Sequence, residues 1–276
     1  MSSSGRVSIF PTGHVCPADK RDLALKYAKG EILAFIDDDA YPAKDWLKCA
    51  IEDFEDNSVA AVGGPSVTPF NDSLRQQASG AIYSSYLVSG NFIYRYIPGK
   101  KREADDLPSC NFLVRKSVMQ DLGGFNTSFW PGEDTKLCLD ITKKLKKKII
   151  YDPKVLVYHH RRPVFTPHLK QIANYALHRG YFVKKYPETS FKVSYFIPSL
   201  FLLGLLFGGA LSLFCIPLKM VYSSALFFYL YLVFIFSISK ELRLIPLVFS
   251  GIISSHIAYG LLFLKGLLSK KLKEEL

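Results

Sequence analysis

Three consecutive carboxylates, Asp37, Asp38 and Asp39, directly follow the apolar run Ile32–Ile36. Such a run predicts a buried strand whose carboxyl end carries the triplet, and α/β sheets bind ligands at that edge. Two adjacent carboxylates repel one another by about 4 kcal/mol when they are about 4 Å apart and the effective dielectric constant is about 20. A divalent cation offsets that repulsion, and Mg²⁺ and Mn²⁺ prefer such oxygen ligands. The triplet therefore indicates either a metal site or an acidic turn that is screened by water.

A second acidic pair, Glu133-Asp134, follows the segment Phe129-Trp130-Pro131-Gly132. Carboxylates at a helix start often do no more than cap the helix. The Pro131-Gly132 step, however, predicts an irregular approach that presents the two carboxylates to a cleft. Phe129 and Trp130 suit stacking against a sugar ring, with ordinary core packing as the alternative for Phe129. These features favour a functional role for the pair.

Alternating helices and apolar strands must position these residues. The pattern predicts helices over 21–29, 45–54, 116–122 and 135–145, and strands over 32–36, 59–62, 109–115, 148–151 and 155–158. The polar and aromatic stretch 71–106 has weak periodicity, which predicts helix and mobile loop. Alternation of this kind predicts an α/β domain with a mostly parallel sheet.

Apolar residues are concentrated in the last third of the chain, which has 276 residues and a net charge of +11. The stretches 195–218, 221–239 and 244–264 contain no charge apart from the basic residues at their borders. Each is about 20 residues long, which is the length that a helix needs to cross a bilayer. We therefore predict a multi-pass membrane protein. Nucleic-acid binding is excluded, because the positive charge is dispersed and partly next to the membrane.

The orientation of these spans is ambiguous, because basic residues flank them on every side. They are Lys184, Lys185 and Lys192 before the first span, Lys240 and Arg243 before the third, and Lys265, Lys270, Lys271 and Lys273 after it. Three crossings place the catalytic domain and the tail on opposite sides although both are basic. Either the tail violates the positive-inside tendency, or one segment is a hairpin or lies in the interface. The five scattered cysteines indicate a reducing, cytoplasmic location for the catalytic domain.

The order of the motifs resembles glycosyltransferase family 2. The best local matches are Gly30 through Asp37-Asp38-Asp39, and Gly123-Gly124-Phe125 through Glu133-Asp134, followed by the basic strand end at His159-His160-Arg161-Arg162. The resemblance covers roughly residues 10–190. It implies a GT-A fold, a nucleotide-diphosphate sugar donor and inversion at the anomeric carbon.

The resemblance also implies a role for each matched carboxylate. Asp37 matches a carboxylate near the nucleotide ribose or the metal. Asp39 matches the one that binds Mg²⁺ or Mn²⁺ at the diphosphate, and Asp38 fills the variable middle position. Asp134 matches the general base that takes a proton from the acceptor hydroxyl, and Glu133 orients the base or hydrogen-bonds the acceptor.

Basic side chains complete the implied donor site. His159 matches a strand-end histidine that reaches the metal or the diphosphate in some relatives, with a solvent-facing histidine as the alternative. Arg161 and Arg162 are candidates either to clamp the diphosphate or to face anionic lipid. Lys20-Arg21 matches a basic pair near the donor, and a solvated helix start is equally consistent with it.

Two departures from the family pattern restrict the expected function. The segment Gln171-Ile172-Ala173-Asn174-Tyr175 keeps the Gln of the QxxRW motif but lacks Arg-Trp, which favours a single-sugar transferase over a processive synthase. The family also opens with additional strands and a nucleobase-binding acidic loop, whereas Met1–Gly5 does not look like a strand. We therefore expect a catalytic domain over 1–166 that is incomplete at its N-terminus, an amphipathic interfacial helix and linker over 167–194, and a membrane region over 195–276.

The predicted function is an inverting, metal-dependent glycosyltransferase of the hexosyltransferase type in cell-surface polysaccharide synthesis. Its expected partners are a nucleotide-diphosphate sugar, a glycan or polyprenyl-linked acceptor and the lipid bilayer. The expected location is the plasma membrane, with the catalytic domain in the cytoplasm. Polyprenyl phosphate as the acceptor and a non-catalytic membrane fragment are the alternatives.

Overall fold

The computed structural model describes residues 10–275, so Met1–Gly5 lie outside the described residues. The strands are β1 (Ile32–Ile36), β2 (Ala40–Pro42), β3 (Val59–Gly63), β4 (Ser66–Val67), β5 (Arg102–Glu103), β6 (Asn111–Arg115), β7 (Lys148–Tyr151) and β8 (Val157–His159). The helices before the apolar region are α1 (Pro17–Tyr27), α2 (Trp46–Asp53), α3 (Leu74–Tyr83), α4 (Tyr86–Ser89), α5 (Lys116–Leu122), α6 (Glu133–Leu139), α7 (Thr166–Lys185) and α8 (Pro187–Ser190). A 3-10 turn over Gly90–Arg95 follows α4, and a π-helical turn over Asp140–Lys144 follows α6.

The strands form two sheets. Five strands lie in the order β1-β6-β3-β7-β5, and the other three lie in the order β2-β8-β4. The α/β architecture with flanking helices is confirmed, with one correction: the large sheet is mixed rather than mostly parallel. Within it β3 and β7 pair in parallel, whereas β1 with β6, β3 with β6 and β5 with β7 pair antiparallel.

The long segment between β4 and β6 explains the mixed sheet. Its helix α3 does not cross the sheet but packs against the C-terminal apolar helices, through Ala78 and Ile82. The chain therefore re-enters the sheet from the opposite end, and β6 runs antiparallel to both of its neighbours. Helix–strand alternation along the sequence cannot reveal this, because it predicts parallel strands only when each helix crosses over.

Hydrophobic side chains fill both faces of the large sheet. On one face, Phe112, Val114 and Ile149 pack against α1, Met119 of α5 and Leu137 of α6. The other face packs Val62 and Leu113 against Trp46 and Ala50 of α2. The indole N–H of Trp46 donates to the Asn111 side chain at 2.8 Å. This core fixes the strand ends that carry the candidate site.

Three helices among residues 10–275 are long and apolar enough to cross a membrane. The first runs over Val193–Ser212, as α9 (Val193–Leu203), a π-helical turn and α10 (Gly209–Ser212); the others are α11 (Ile216–Ser237) and α12 (Leu244–Leu268). The break between the first two lies at 213–215, earlier than the predicted end at 218. Pro217 explains the shift, because proline lacks an N–H and fits the first turn of a helix.

Candidate active site

Two carboxylates and one imidazole from different strand ends meet at the edge of the sheets. Asp37 follows β1, Asp39 precedes β2, and His159 ends β8, which pairs with β2 so that His159 lies opposite Ala40. Ligand atoms of these three side chains all lie within 4.8 Å of one another. Asp38 is exposed and lies outside this group. We call Asp37, Asp39 and His159 the carboxylate–histidine group.

The carboxylate–histidine group is strongly coupled electrostatically. Nε2 of His159 donates to Asp39 Oδ1 at 2.9 Å, and this hydrogen bond holds the pKa of Asp39 below its usual range. Burial lowers the pKa of His159, but its hydrogen bond with Asp39 outweighs burial and raises that pKa to about 9. Burial raises the pKa of Asp37, and the nearby Arg21 opposes that shift. Two carboxylates and an imidazole form a donor set that suits Mn²⁺, and also Mg²⁺ through the oxygens.

Arg21 joins this group to the second acidic pair. Its guanidinium lies 2.8 Å from Glu133 Oε1 and 3.3 Å from Asp37 Oδ1. Glu133 is buried, and its other oxygen accepts from the backbone N–H of Gly132 at 3.0 Å. Arg21 therefore bridges the two acidic elements. Lys20, in contrast, is exposed and forms no ion pair with any residue in 10–275.

Asp134 lies next to Glu133, the residue that pairs with Arg21. Its Oδ2 accepts from the backbone N–H of Ser109 at 3.3 Å, and its Oδ1 accepts from Thr135 N–H at 2.7 Å. Burial, followed by the negative charges of Glu133 and Asp106, raises the pKa of Asp134 to about 7. A carboxylate with a pKa near neutrality is suited to take up and release a proton at physiological pH.

The sequence did not predict the ion-pair network that lies behind Asp134. Asp106 is 4% exposed, and its Oδ2 lies 3.5 Å from Arg95 and 3.2 Å from Arg179 of α7. The hydroxyl of Thr135 also faces Asp106, at 3.3 Å. Burial opposes the charge of Asp106, but Arg95 and Arg179 hold its pKa below the usual range. Asp106 therefore fixes the start of α6, where Asp134 lies, to α7.

The two arginines after β8 occupy different environments. Arg161 is 8% exposed; its guanidinium donates to Ser66 and Thr68 and lies 3.2 Å from Nδ1 of His159. These contacts place Arg161 behind His159, where it orients the imidazole. Arg162 is exposed, and its charge contributes to the lowered pKa of Asp39. The structure thus leaves Arg162, rather than Arg161, accessible to a ligand beside the group.

The loop between α5 and α6 lies against α1 and α7. Gly123 ends α5 with φ 71°, as the sequence predicts for a helix closed by glycine. Gly124 has φ 90° and lies so close to Asp22 that a Cβ on Gly124 would stand 2.3 Å from the Asp22 carboxylate. The same carboxylate accepts a hydrogen bond from the backbone N–H of Phe125 at 2.8 Å. Phe129 is 4% exposed, so packing is confirmed for it, whereas Trp130 is 51% exposed at the surface of the loop.

One cavity lies away from these residues. Its volume is about 840 Å³, and its lining comes from β5, the segment before β7 and the beginning of α9. The lining includes none of the carboxylates discussed above. This cavity is therefore separate from the candidate site.

One protein-family model matches the part of the chain that contains the triplet Asp37 to Asp39. Residues 3–123 match the family model described as glycosyl transferase family 2. This segment is therefore similar to glycosyl transferase family 2. The match includes α1 with Arg21, and Asp37 to Asp39; Glu133-Asp134 and His159 lie beyond it.

Curated relatives of this part of the chain carry glycosyltransferase names. The chain is 28% identical over 146 residues to the pre-mycofactocin glycosyltransferases of two Mycobacterium tuberculosis strains, which covers 53% of this chain and 30% of each relative. It is 24% identical over 166 residues to the dolichyl N-acetyl-alpha-D-glucosaminyl phosphate 3-beta-D-2,3-diacetamido-2,3-dideoxy-beta-D-glucuronosyltransferase of Methanococcus voltae, covering 58% of this chain and 50% of the relative. The matched segment thus spans half or less of the length of these relatives.

Proposed function

We propose that this protein is an inverting, metal-dependent glycosyltransferase that moves a sugar from a nucleotide-diphosphate donor to a hydroxyl of a membrane-associated acceptor. One observation carries the proposal: the carboxylate–histidine group is linked through Arg21 to the acidic pair that contains a carboxylate with a pKa near 7. The arrangement provides a cation site and a base in one continuous site. The match of residues 3–123 to the family model supports it.

Asp37, Asp39 and His159 would hold Mn²⁺ or Mg²⁺. The bound cation would offset negative charge on the leaving diphosphate. Because imidazole binds a metal in its neutral form, His159 would have to give up the Nε2 proton that it donates to Asp39 in order to hold a cation. Arg161 lies behind the imidazole, and exposed Arg162 is the arginine accessible to a diphosphate oxygen.

The acceptor half of the reaction needs a base but no enzyme nucleophile. Asp134 takes the proton of the acceptor hydroxyl. At the same time the hydroxyl oxygen forms a bond to the anomeric carbon of the donor sugar, and the bond from that carbon to the nucleoside diphosphate breaks. Glu133 is already ion-paired with Arg21, so it orients the acceptor or its neighbour Asp134 rather than accepting the proton. Trp130 offers an exposed aromatic face beside the pair, which suits stacking against an acceptor sugar.

A lipid-linked acceptor fits the three apolar helices that follow the catalytic elements. The Methanococcus voltae relative is named for a transfer to a dolichyl-linked sugar phosphate. We propose a polyprenyl-linked glycan as the acceptor for this chain, in a plasma membrane with the catalytic domain in the cytoplasm. The product fits the synthesis of a cell-surface polysaccharide.

A matched pair of substitutions tests the metal site. The full-length chain in detergent micelles is titrated with Mn²⁺ in the presence of UDP or GDP, and free Mn²⁺ is measured by electron paramagnetic resonance. Asp39→Asn should weaken Mn²⁺ binding by at least about tenfold. Asp38→Asn makes the same chemical change at an exposed position outside the group and should bind like wild type. Equal Mn²⁺ affinity in all three proteins would sink the proposal.

Product analysis tests the acceptor. Membranes that contain the full-length chain are incubated with radiolabelled nucleotide sugars, and the lipid products are extracted. A labelled sugar attached to an existing lipid-linked saccharide supports the proposal. A lipid-phosphate monosaccharide as the sole product would instead make polyprenyl phosphate the acceptor.

A further inference from the structure

The first half of α12 rests on the catalytic part of the chain. Val248 and Ile252 pack with Ala78 and Ile82 of α3 and with Val164, which precedes α7. Gly251 is so close to Ile82 that a Cβ there would stand 2.2 Å from its Cδ1. His256 Nε2 donates to the backbone carbonyl of Leu87, in α4, at 2.9 Å. The beginning of this apolar helix is therefore fixed to the catalytic side.

The rest of α12 runs beside α7 in the same direction. Near the start of α7, His168 Nε2 lies 3.0 Å from Ser255 Oγ. Further along, a Cβ at Gly180 would stand 2.1 Å from the carbonyl oxygen of Phe263, and one at Gly266 would stand 2.0 Å from that of Leu177. Two glycines thus allow the helix backbones to touch, and α12 keeps this contact over most of the length of α7.

Helix α7 does not cross a bilayer. It carries four cationic side chains, Lys170, Arg179, Lys184 and Lys185. Its start follows β8, and near its end Phe182 packs against Phe129 of the loop before α6. Both ends of α7 therefore belong to the catalytic side. A helix that runs alongside α7 lies at the same depth.

The segment after α12 also returns to the catalytic side. Leu272 is 5% exposed and packs with Phe129, Tyr181 and Phe182. Glu274 Oε1 lies 3.1 Å from His178 Nε2, and its carbonyl oxygen accepts from the Ser128 hydroxyl at 3.1 Å. The tail thus contacts the same loop that carries Trp130. Both ends of α12 lie on one side.

The other two apolar helices have a different environment. Within an apolar 18-residue stretch of each span, only 6% of the residues are buried by protein in the first span and 11% in the second, against 33% in the third. They form a hairpin whose tip exposes Leu213, Phe214 and Ile216 by 76% or more. With 20 and 22 residues at about 1.5 Å each, the two arms reach about 30 Å, the thickness of a hydrocarbon core.

We propose that the chain crosses the bilayer twice, through this hairpin, and that α12 does not cross but lies along the membrane surface on the catalytic side. Its partner there is the headgroup–acyl boundary of one leaflet, which the exposed apolar side chains Ile257, Leu261 and Leu268 enter. This arrangement goes beyond the transferase activity and does not depend on it.

The charge distribution agrees with two crossings. Lys192, Lys240, Arg243, Lys265, Lys270, Lys271 and Lys273 then all lie on the catalytic side, whereas Lys219 is the single charge between 193 and 239 and lies near the hairpin tip. The cavity of about 840 Å³ beside Val193 adds Arg102, Lys146, Lys147 and Lys148 at the point where the chain enters the bilayer. The positive-inside tendency, which three crossings violate, is satisfied.

Cysteine labelling tests the topology, because Cys215 is a native exposed thiol at the hairpin tip. A membrane-impermeant maleimide is applied to spheroplasts that express the full-length chain. The wild-type chain should be labelled in intact spheroplasts, and Cys215→Ser should not. Lys219→Cys in the Cys215→Ser background provides a second probe nearer the membrane surface.

The tail and the catalytic domain are probed in the same Cys215→Ser background. Lys271→Cys marks the tail and Lys154→Cys marks an exposed position of the catalytic domain. Both should react only after the membrane is permeabilised. Labelling of Lys271→Cys but not Lys154→Cys in intact spheroplasts would establish a third crossing and overturn the proposal. Absence of labelling at both tip probes would overturn it as well, because the hairpin then does not cross.

Discussion

Arg21 donates to the carboxylate of Glu133 at 2.8 Å, across 112 positions of the sequence. The same guanidinium lies 3.3 Å from Asp37, so one side chain of α1 connects both acidic elements. The planar fork of arginine suits two carboxylates at once, whereas the point charge of lysine does not. Asp22, the next residue, accepts from Phe125 N–H. Helix α1 therefore fixes the distance between the proposed donor and acceptor halves of the site.

Replacing Arg21 tests this connection. Arg21→Lys keeps the charge but loses the fork, so we expect kcat/KM for transfer to fall about 10- to 100-fold, the usual effect of removing a partner of metal-site ligands. Lys20→Gln is the matched control, because Lys20 is exposed on the same helix. If Arg21→Lys and Lys20→Gln have the same kcat/KM, Arg21 has no part in organising the site.

Asp134→Asn tests the assignment of the base. The amide keeps the shape of the side chain but cannot take a proton, so kcat should fall about 10²- to 10⁴-fold. Binding of the nucleotide with Mn²⁺ should stay unchanged, because the carboxylate–histidine group does not include Asp134. Nucleotide release in the presence of acceptor and calorimetric binding give the two readouts. Wild-type turnover in this variant would remove Asp134 as the base.

The pH profile follows from the raised pKa of Asp134. The base works as a carboxylate, so kcat/KM should fall as the pH drops through about 7 and approach a tenfold loss per pH unit below it. The charge of Glu133 is one cause of the raised pKa, so Glu133→Gln should move this acid limb to lower pH. An acid limb that stays in place in Glu133→Gln, or that lies near pH 4 in wild type, contradicts the assignment.

Asp106 and Asp105 provide a matched test of stability. Asp106→Ala leaves two buried arginines without their shared carboxylate, which should lower the free energy of unfolding by about 3–5 kcal/mol. Asp105→Ala removes only the partner of Lys192 from an exposed pair and should cost about 0–1 kcal/mol. Thermal unfolding of both variants in the same detergent measures the difference. Similar unfolding temperatures would show that the buried network does not stabilise the fold.

Trp130 and Phe129 provide a matched test of the acceptor loop. Trp130→Ala removes an exposed ring, so the KM for the acceptor should rise about two- to tenfold without loss of stability. Phe129→Ala removes a buried ring and should instead destabilise the protein by about 3–5 kcal/mol. Steady-state kinetics and thermal unfolding of both variants separate the roles. An unchanged KM in Trp130→Ala would exclude stacking.

Local pattern was sufficient to predict the elements that carry the carboxylates. The strand Ile32–Ile36 was predicted with its observed bounds, because Gly30 and the aspartates delimit an apolar run of strand length. The helix Lys116–Leu122 likewise ends at a glycine with positive φ. The amphipathic helix was predicted to begin at residue 167 and begins at Thr166. In each case the signal lies within a few neighbouring residues.

Long-range partners escaped the sequence for the same reason. His159 reaches Asp39 only because β8 pairs with β2, and no local pattern gives that register. Arg179 looks like an ordinary polar position of an amphipathic helix, yet it pairs with Asp106, which lies 73 positions earlier. Arg161 belongs to a basic strand end that suggested a diphosphate clamp, but pairing places it behind the imidazole. Side-chain chemistry identified these candidates, and tertiary pairing decides their roles.

The close contact of Gly180 with Phe263 leaves no space for α7 and α12 to slide past one another. Phe182, two residues further along α7, stands where a Cβ of Gly132 would lie, directly before Glu133. In the proposed topology, the helix at the membrane surface therefore sets the height of Asp134 above the lipid. The proposed transferase would therefore favour acceptors in which the distance from the lipid anchor to the hydroxyl that receives the sugar matches this height.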